Sequence, residues 1–458
     1  MATTDMPEVR IPLRNLTRSG GVRLRGMLEQ VRGHRMILFR IALGAYRIVN
    51  DAEIARQVLQ ENRKNYPKSS NYNQLKGFLG NGLLTSDGDF WLRQRRLAQP
   101  AFHHKQLAKL FSTMVETCND LLTGWEAVAG QDRTLDVSRE MMRVTLSVVG
   151  RTLLSTDLAS AAGDVGPALT YLLKDTDSRM FSPVRIPRSI PTPKNLRFWK
   201  ARAAIDGRVL GVIRERRAQG DDGPQDLLAM LLQARDADTG EGMTDAQLRD
   251  EVMTLVLAGH ETTANAMSWT LALLSRHPDI RARLEDEVDR ALGGRTPTFE
   301  DLPRLSYASM VFQEAMRLYP PIWIIERQAV AADTLGGFKI PAGAFVTISP
   351  FLLHFHPDYW ENPAGFDPLR FLPEAVQKRP PFAYLPFGGG PRVCIGNQFA
   401  LMEAQILLAM IVQRFRLDLD PTHALEPELM LTMRPAGGMP MYLSRRTVAA
   451  VVARAPAA

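Results

Sequence analysis

The chain has 458 residues, of which 45% are hydrophobic and 23% charged, and a formal net charge of +7. That composition excludes disordered, collagen-like and mucin-like classes, while length alone allows about three domains. Two cysteines, Cys118 and Cys394, are too few for a disulfide framework or a cysteine-built zinc site. They fit a reducing compartment, here the cytoplasm, and a core large enough to need no covalent staples.

In chain order, residues 1–50 hold nine arginines against three acids. These arginines are not interleaved with aromatics as a nucleic-acid groove requires, so the segment reads as solvated surface and no nucleic-acid partner is expected. Met36 to Val49 is apolar but interrupted by Arg40 and Arg47, and falls short of the ~20 residues a bilayer span needs. No transmembrane segment is expected, and the alternation around Arg40 and Gly44 predicts a β-hairpin. Trp91 and Arg95 lie one helical turn apart on a common face. Pro183–Pro193, Gly220–Pro224 and Asp238–Gly242 read as surface loops rather than domain boundaries.

The longest helical pattern starts at the capping box Thr244-Asp245-Ala246-Gln247 and stops at His277-Pro278. At 1.5 Å per residue it makes a rod of about 48 Å. Its middle, Met253 to Ala258, is apolar all round, which predicts burial. Gly259 inside it suggests a local opening or a close ligand approach, because glycine costs a helix about 1 kcal/mol relative to alanine. Farther on, Phe338 to Ser349 reads as strand around the turn Pro341-Ala342-Gly343, and Asn397 to Phe415 as an apolar helix. The alanine-rich tail, Val451 to Ala458, reads as frayed. Helix dominates and sheet is minor.

Chemistry concentrates at Cys394, within Phe387-Gly388-Gly389-Gly390-Pro391-Arg392-Val393-Cys394-Ile395-Gly396. The glycines permit a tight loop and close backbone approach to a flat ligand. Cys394 also lies just ahead of a helix N-terminus, where the dipole and free N–H groups favour a thiolate, a soft ligand for iron. The spacing of Phe387, Gly390, Arg392, Cys394 and Gly396 resembles the haem loop of the cytochrome P-450 family of haem-thiolate monooxygenases. The resemblance implies that Cys394 is the proximal iron ligand, that Phe387 and Gly396 belong to the cofactor loop, and that Arg392 reaches a haem propionate. An axial thiolate pushes electron density onto iron and promotes O–O cleavage.

Three further segments extend the resemblance. Glu314-Ala315-Met316-Arg317 and Phe366-Asp367-Pro368-Leu369-Arg370-Phe371 match a structural network that would join Glu314, Arg317 and Arg370, although Leu369 stands where the family often has an acid. Ala258-Gly259-His260-Glu261-Thr262-Thr263 matches the oxygen-binding groove, in which Glu261 and Thr262 would deliver protons. Without the resemblance, Thr262 would bond back to the preceding turn and Glu261 would pair with an arginine. Trp91 and Arg95 match a propionate clamp, and Arg327 another propionate position. The histidine pairs His103/His104 and His354/His356 have no acid or cysteine cluster to support zinc, and Cys118 reads as packing.

The motifs span Trp91 to Gly396, so a single haem domain over 1–458 replaces the three-domain estimate, with 1–20 and 447–458 as frayed ends. The implied fold is mainly α with a small β region. The implied activity inserts one atom of O2, a co-substrate, into an apolar small molecule at one haem b per chain. Electrons would come from NAD(P)H through external partners, a ferredoxin and its reductase, because nothing after Gly396 is long enough for a flavin domain. Arg93 and Arg96 are candidates for docking an acidic ferredoxin to what is read as a monomer. Peroxide-driven catalysis and a non-catalytic haem sensor or carrier are alternatives, and the Glu261-Thr262 pair weighs against both. Ala258, Ile322, Trp323 and Ile324, with parts of Asn71–Leu84 and Tyr171–Pro193, would line the pocket. Trp323 serves equally as core. The pocket suits a fatty acid, terpenoid or steroid-like compound, and the motifs look closer to the fatty-acid branch than to the camphor-type one.

Overall fold

In the computed structural model, which describes residues 6–10, 20–41, 44–158, 165–180 and 186–446, one helix organises the rest. It runs from Asp245 to Arg276. The Thr244 hydroxyl accepts from the Gln247 amide at 3.2 Å, and the Gln247 side chain accepts from the Thr244 amide at 2.8 Å. At its far end His277 breaks the helix and Pro278 opens the next, Pro278–Leu292. The helix is buried over most of its length, because helices Val137–Leu154, Pro193–Gln219, Ser306–Leu318 and Asn397–Arg414 all pack against it.

Of the two readings of Gly259, the local opening does not form. The helix is continuous there. A Cβ on Gly259 would stand 2.8 Å from Val149 Cγ2, so the missing side chain admits the Val137–Leu154 helix. The Thr145 hydroxyl seals that contact by donating to the His260 carbonyl at 2.9 Å.

The β structure is small but more dispersed than the sequence suggests. The hairpin forms as expected, Met36–Ile41 against Gly44–Val49, with Met36 opposite Val49. It sits inside a five-stranded sheet in the spatial order Glu8–Arg10, Met36–Ile41, Gly44–Val49, Phe345–Ile348, Ile325–Gln328. Glu8–Arg10 was expected to be frayed. Instead it pairs in parallel with Leu38–Arg40, and Arg40 reaches Glu8 at 3.1 Å. Residues 11–19 and 447–458, including the alanine-rich tail, lie outside the described residues. The run Phe338–Ser349 divides: Phe338–Ile340 pairs with Asp333–Leu335, while Phe345–Ile348 joins the large sheet. Two further sheets, one a hairpin of Pro427–Leu429 and Met433–Pro435, close the side beside the central helix.

The Glu314 network braces the loop that carries Cys394. Arg317 holds both oxygens of Glu314 at 2.7 Å, and Arg370 stands 3.4 Å from one of them. Arg317 also donates to the carbonyls of His354, Pro363 and Gly365, and the Asp367 amide donates to Glu314 at 2.9 Å. His354 passes this order on, since its Nε2 accepts from the Leu385 amide at 2.8 Å, two residues before Phe387. The charges are fully buried, so the pair is held by mutual satisfaction rather than by solvent-screened attraction.

Candidate active site

A cavity of about 660 Å³ lies between the Cys394 loop and the central helix. One wall is the loop Pro386–Gly389 with Arg392–Gly396. Gly388 and Gly390 have φ of +71° and +66°, and a Cβ on Gly390 would stand 2.2 Å from the Leu59 carbonyl oxygen. Only glycine therefore permits this turn. The Cys394 amide closes the loop onto the Phe387 carbonyl at 2.9 Å, two residues ahead of the cap of helix Asn397–Arg414. The exposed face of Cys394 opens onto the cavity. Burial within the protein pushes its thiol up, while the Gly396 amide and the Arg95 guanidinium pull it down.

The opposite wall carries Ala258, Gly259, Glu261, Thr262 and Thr263. The Thr262 hydroxyl donates to the Ala258 carbonyl at 2.6 Å, which leaves its oxygen as an acceptor. Glu261 is buried and its Oε1 accepts from the Thr432 hydroxyl at 2.8 Å. Burial pushes the Glu261 carboxyl up, and Thr432 and Arg434 moderate the shift.

One end of the cavity is cationic. Arg95 in helix Gly88–Ala98, Arg327 in strand Ile325–Gln328, and Arg392 all line it, and the Arg392 guanidinium lies 4.1 Å from the Trp91 ring centre. Arg95 donates to the Val393 carbonyl at 2.7 Å, and Arg392 to Asp87 and to the Ser86 carbonyl. Sequence reading missed a fourth cation, Lys68, whose ammonium donates to the carbonyls of Leu83 and Ser86 at 3.0 and 3.1 Å. Burial, then the nearby Arg392, pushes Lys68 down to about 6. No local pattern marks it; an isolated bridge to Arg327 brings it in from 259 positions away in the chain. Ile322, Trp323 and Ile324 line the apolar end, and Trp323 also anchors on the Met430 carbonyl at 2.9 Å, so both of its readings hold. Residues of Asn71–Leu84 border the cavity, but no described residue of Tyr171–Pro193 does.

The family model for cytochrome P450 matches residues 28–440. The chain belongs to the cytochrome P450 family. It is 39% identical to cyclooctatin synthase of Streptomyces melanosporofaciens over 85% of this chain and 84% of that one. It is 38% identical to cyclooctat-9-en-7-ol 5-monooxygenase of the same organism, over 80% and 78%. The crystal structure of the cytochrome P450DA heme domain superposes with a TM-score of 0.89 at 30% identity, covering 98% of this chain and 99% of that one. The chain is thus a P450 monooxygenase with the mainly helical fold and haem-thiolate cofactor of its family.

The residues present fit that cofactor. A P450 haem brings a soft-ligand requirement on one face and two carboxylates at one edge. Here a lone cysteine faces the cavity, Arg95, Arg327, Arg392 and Lys68 line it, and Arg392 is paired with the carboxylate of Asp87. Burial is the main cause that lowers Lys68 and Arg392, with like-charged neighbours adding to it, and two anionic groups would favour their charged forms. Cys118 is buried packing, and His354 is a neutral core residue pushed down to about 3. Among the described residues no group of histidines, cysteines and acids could hold a metal ion, and no helix is long and apolar enough to cross a membrane.

Arg93 and Arg96, the candidates for docking, carry acidic partners of their own. Arg96 is paired with Asp236 at 3.1 Å and Asp238 at 2.6 Å, and Arg93 donates to Glu241 and to the Gly242 carbonyl. Both tie helix Gly88–Ala98 to the neighbouring loop.

Proposed function

We propose that this P450 oxygenates an apolar terpenoid, with Cys394 as the iron ligand. The observation that carries the reading is the opposition of Cys394 to Thr262 and Glu261 across one cavity, with Arg95 and Arg392 beside the cysteine loop. The haem, when bound, supplies activation of O2. Arg95, Arg327 and Arg392, with Trp91 beneath Arg392, would hold its propionates, and Phe387 and Gly396 shape the loop at its sulfur face. Glu261 offers a buried carboxyl to hold and release a proton, and Thr262, the next residue, offers an acceptor oxygen to the cavity. Ala258, Ile322, Trp323 and Ile324 exclude water and orient the substrate. Glu314, Arg317 and Arg370 keep the loop in register. External donors, a ferredoxin and its reductase drawing on NAD(P)H, would feed a cytoplasmic monomer.

The terpenoid class rests on the apolar pocket and on the relatives, one of which is named for an unsaturated alcohol oxygenated at position 5. The reduced, carbon monoxide-treated protein should show a strongly red-shifted Soret band that is lost in Cys394→Ala. Absence of haem, or a band the substitution leaves alone, refutes the ligand assignment. A polycyclic terpene alcohol should shift the Soret band at lower concentration than palmitate, and the reverse order would refute the substrate class.

A further inference from the structure

The proton-handling acid is held by a residue from a distant part of the chain. Glu261 lies in the middle of the central helix, and Thr432 on the turn joining Pro427–Leu429 to Met433–Pro435. That turn is pinned on both flanks. The Met433 amide donates to the Pro321 carbonyl at 2.8 Å, and the Trp323 indole donates to the Met430 carbonyl at 2.9 Å. Thr432 is therefore a fixed point, itself buried, on the cavity wall.

Its hydroxyl has a defined direction. Asn265, one turn beyond Glu261 and fully buried, donates its side-chain N–H to Thr432 Oγ1 at 3.1 Å. With its oxygen engaged as acceptor, Thr432 spends its proton on Glu261 Oε1 at 2.8 Å. The chain of bonds runs one way, from Asn265 through Thr432 to Glu261. A donor aimed at the oxygen favours the ionised carboxylate and opposes burial, which favours the protonated form. Thr262, the next residue, is turned to its own helix, so Glu261 faces the hairpin and not its sequence neighbour.

We propose that Thr432 is a positioning residue for Glu261: it holds the carboxyl on the hairpin side of the cavity and keeps it able to ionise there, so that it releases and regains its proton within each turnover. Asn265 orients the hydroxyl that does so. The hairpin also supplies Arg434, the charged group that acts on Glu261 from outside its helix, and Arg434 is paired with the half-exposed Glu428 at 2.8 Å. On the central helix His260 is buried toward Val137–Leu154 and pushed down to about 4, so it adds no charge, and Glu403 of Asn397–Arg414 faces Thr263 instead.

The proposal rests on the reading of Glu261 as the proton-handling acid, and the test separates the two. Titration of the ferric holoenzyme is followed by the infrared band of protonated carboxyl groups, with Glu261→Gln subtracted to isolate Glu261. Thr432→Val, which keeps the shape and removes the hydroxyl, should move that titration up by about one to two pH units, and Thr432→Ser should restore it. Thr432→Val should also raise the fraction of reducing equivalents lost as hydrogen peroxide, again with rescue by serine. An unmoved titration in Thr432→Val overturns the positioning role. A shifted titration combined with full coupling in Glu261→Gln would leave the bond standing but refute the role of Glu261, and with it the functional meaning of Thr432.

Discussion

Replacing Arg317 by methionine keeps an unbranched apolar stem but removes the guanidinium, which lies over the Trp360 and Phe355 rings. Glu314 is then left fully buried, with the Asp367 amide and the more distant Arg370 as partners. Removing one member of a buried ion pair costs about 3–5 kcal/mol. The carbonyls of His354, Pro363 and Gly365 lose their donor as well, which places the total at the upper end of that range. Against a typical stability of about 5–15 kcal/mol, the variant sits near the threshold of folding. The cost must depend on pH. Burial already pushes the Glu314 carboxyl up, with Arg317 the main opposing influence, so its loss lets Glu314 protonate more readily. A folded state that binds more protons than the unfolded one gains stability as pH falls, so the gap between variant and parent narrows in mildly acidic buffer and widens in alkaline buffer. Denaturant unfolding followed by far-ultraviolet circular dichroism measures this. The double change Glu314→Leu with Arg317→Met removes both charges and should recover most of the loss. A single variant within about 1 kcal/mol of the parent at neutral pH, or a double variant worse than either single, would refute the reasoning.

Lys68→Met should stabilise the haem-free protein, because Lys68 is largely neutral when folded between its lowered value of about 6 and its ordinary 10.5 but charged when unfolded. Equal or lower stability of the variant in denaturant unfolding would refute this. Gly390→Ala should prevent haem incorporation, since its Cβ would collide with the Leu59 carbonyl, whereas Gly437→Ala meets only His423 at 3.7 Å and should cost about 1 kcal/mol for its positive φ. Equal haem content in the two variants would refute the steric argument. His354, ordinarily at 6.5 and pushed down to about 3, stays neutral when folded, so stability should fall through that window as pH drops, by up to about 1.36 kcal/mol per unit. His354→Gln should flatten that dependence in acid-unfolding curves, and an unchanged slope would show that other groups govern it.

Features written into short stretches of chain were legible in the sequence. The Thr244 capping box and the His277-Pro278 stop bound the central helix because both act within one turn. The Glu314 and Arg317 side chains meet because helical spacing stacks them, and the Cys394 loop is tight because its glycines have no alternative. What depended on distant partners was not. Gly259 lines the cavity, but that its missing side chain also admits Val149 of another helix was not legible, and the local opening it suggested does not form. That Arg93 and Arg96 pair with Glu241, Asp236 and Asp238 was equally invisible, because those acids lie some 140 positions away in the chain. Glu8–Arg10 became an edge strand because strand pairing is set by register with Leu38–Arg40, which no property of those three residues encodes. The candidate site shows the same division. Cys394, Glu261 and Thr262 declare themselves by local pattern, whereas Lys68 and Thr432, which tune the charge around them, reach the cavity only through a β-bridge and a pinned hairpin turn. Local sterics and hydrogen bonding within a turn are properties of the sequence. Desolvation and the charges that answer it belong to the packed chain, because burial exists only after distant segments have met.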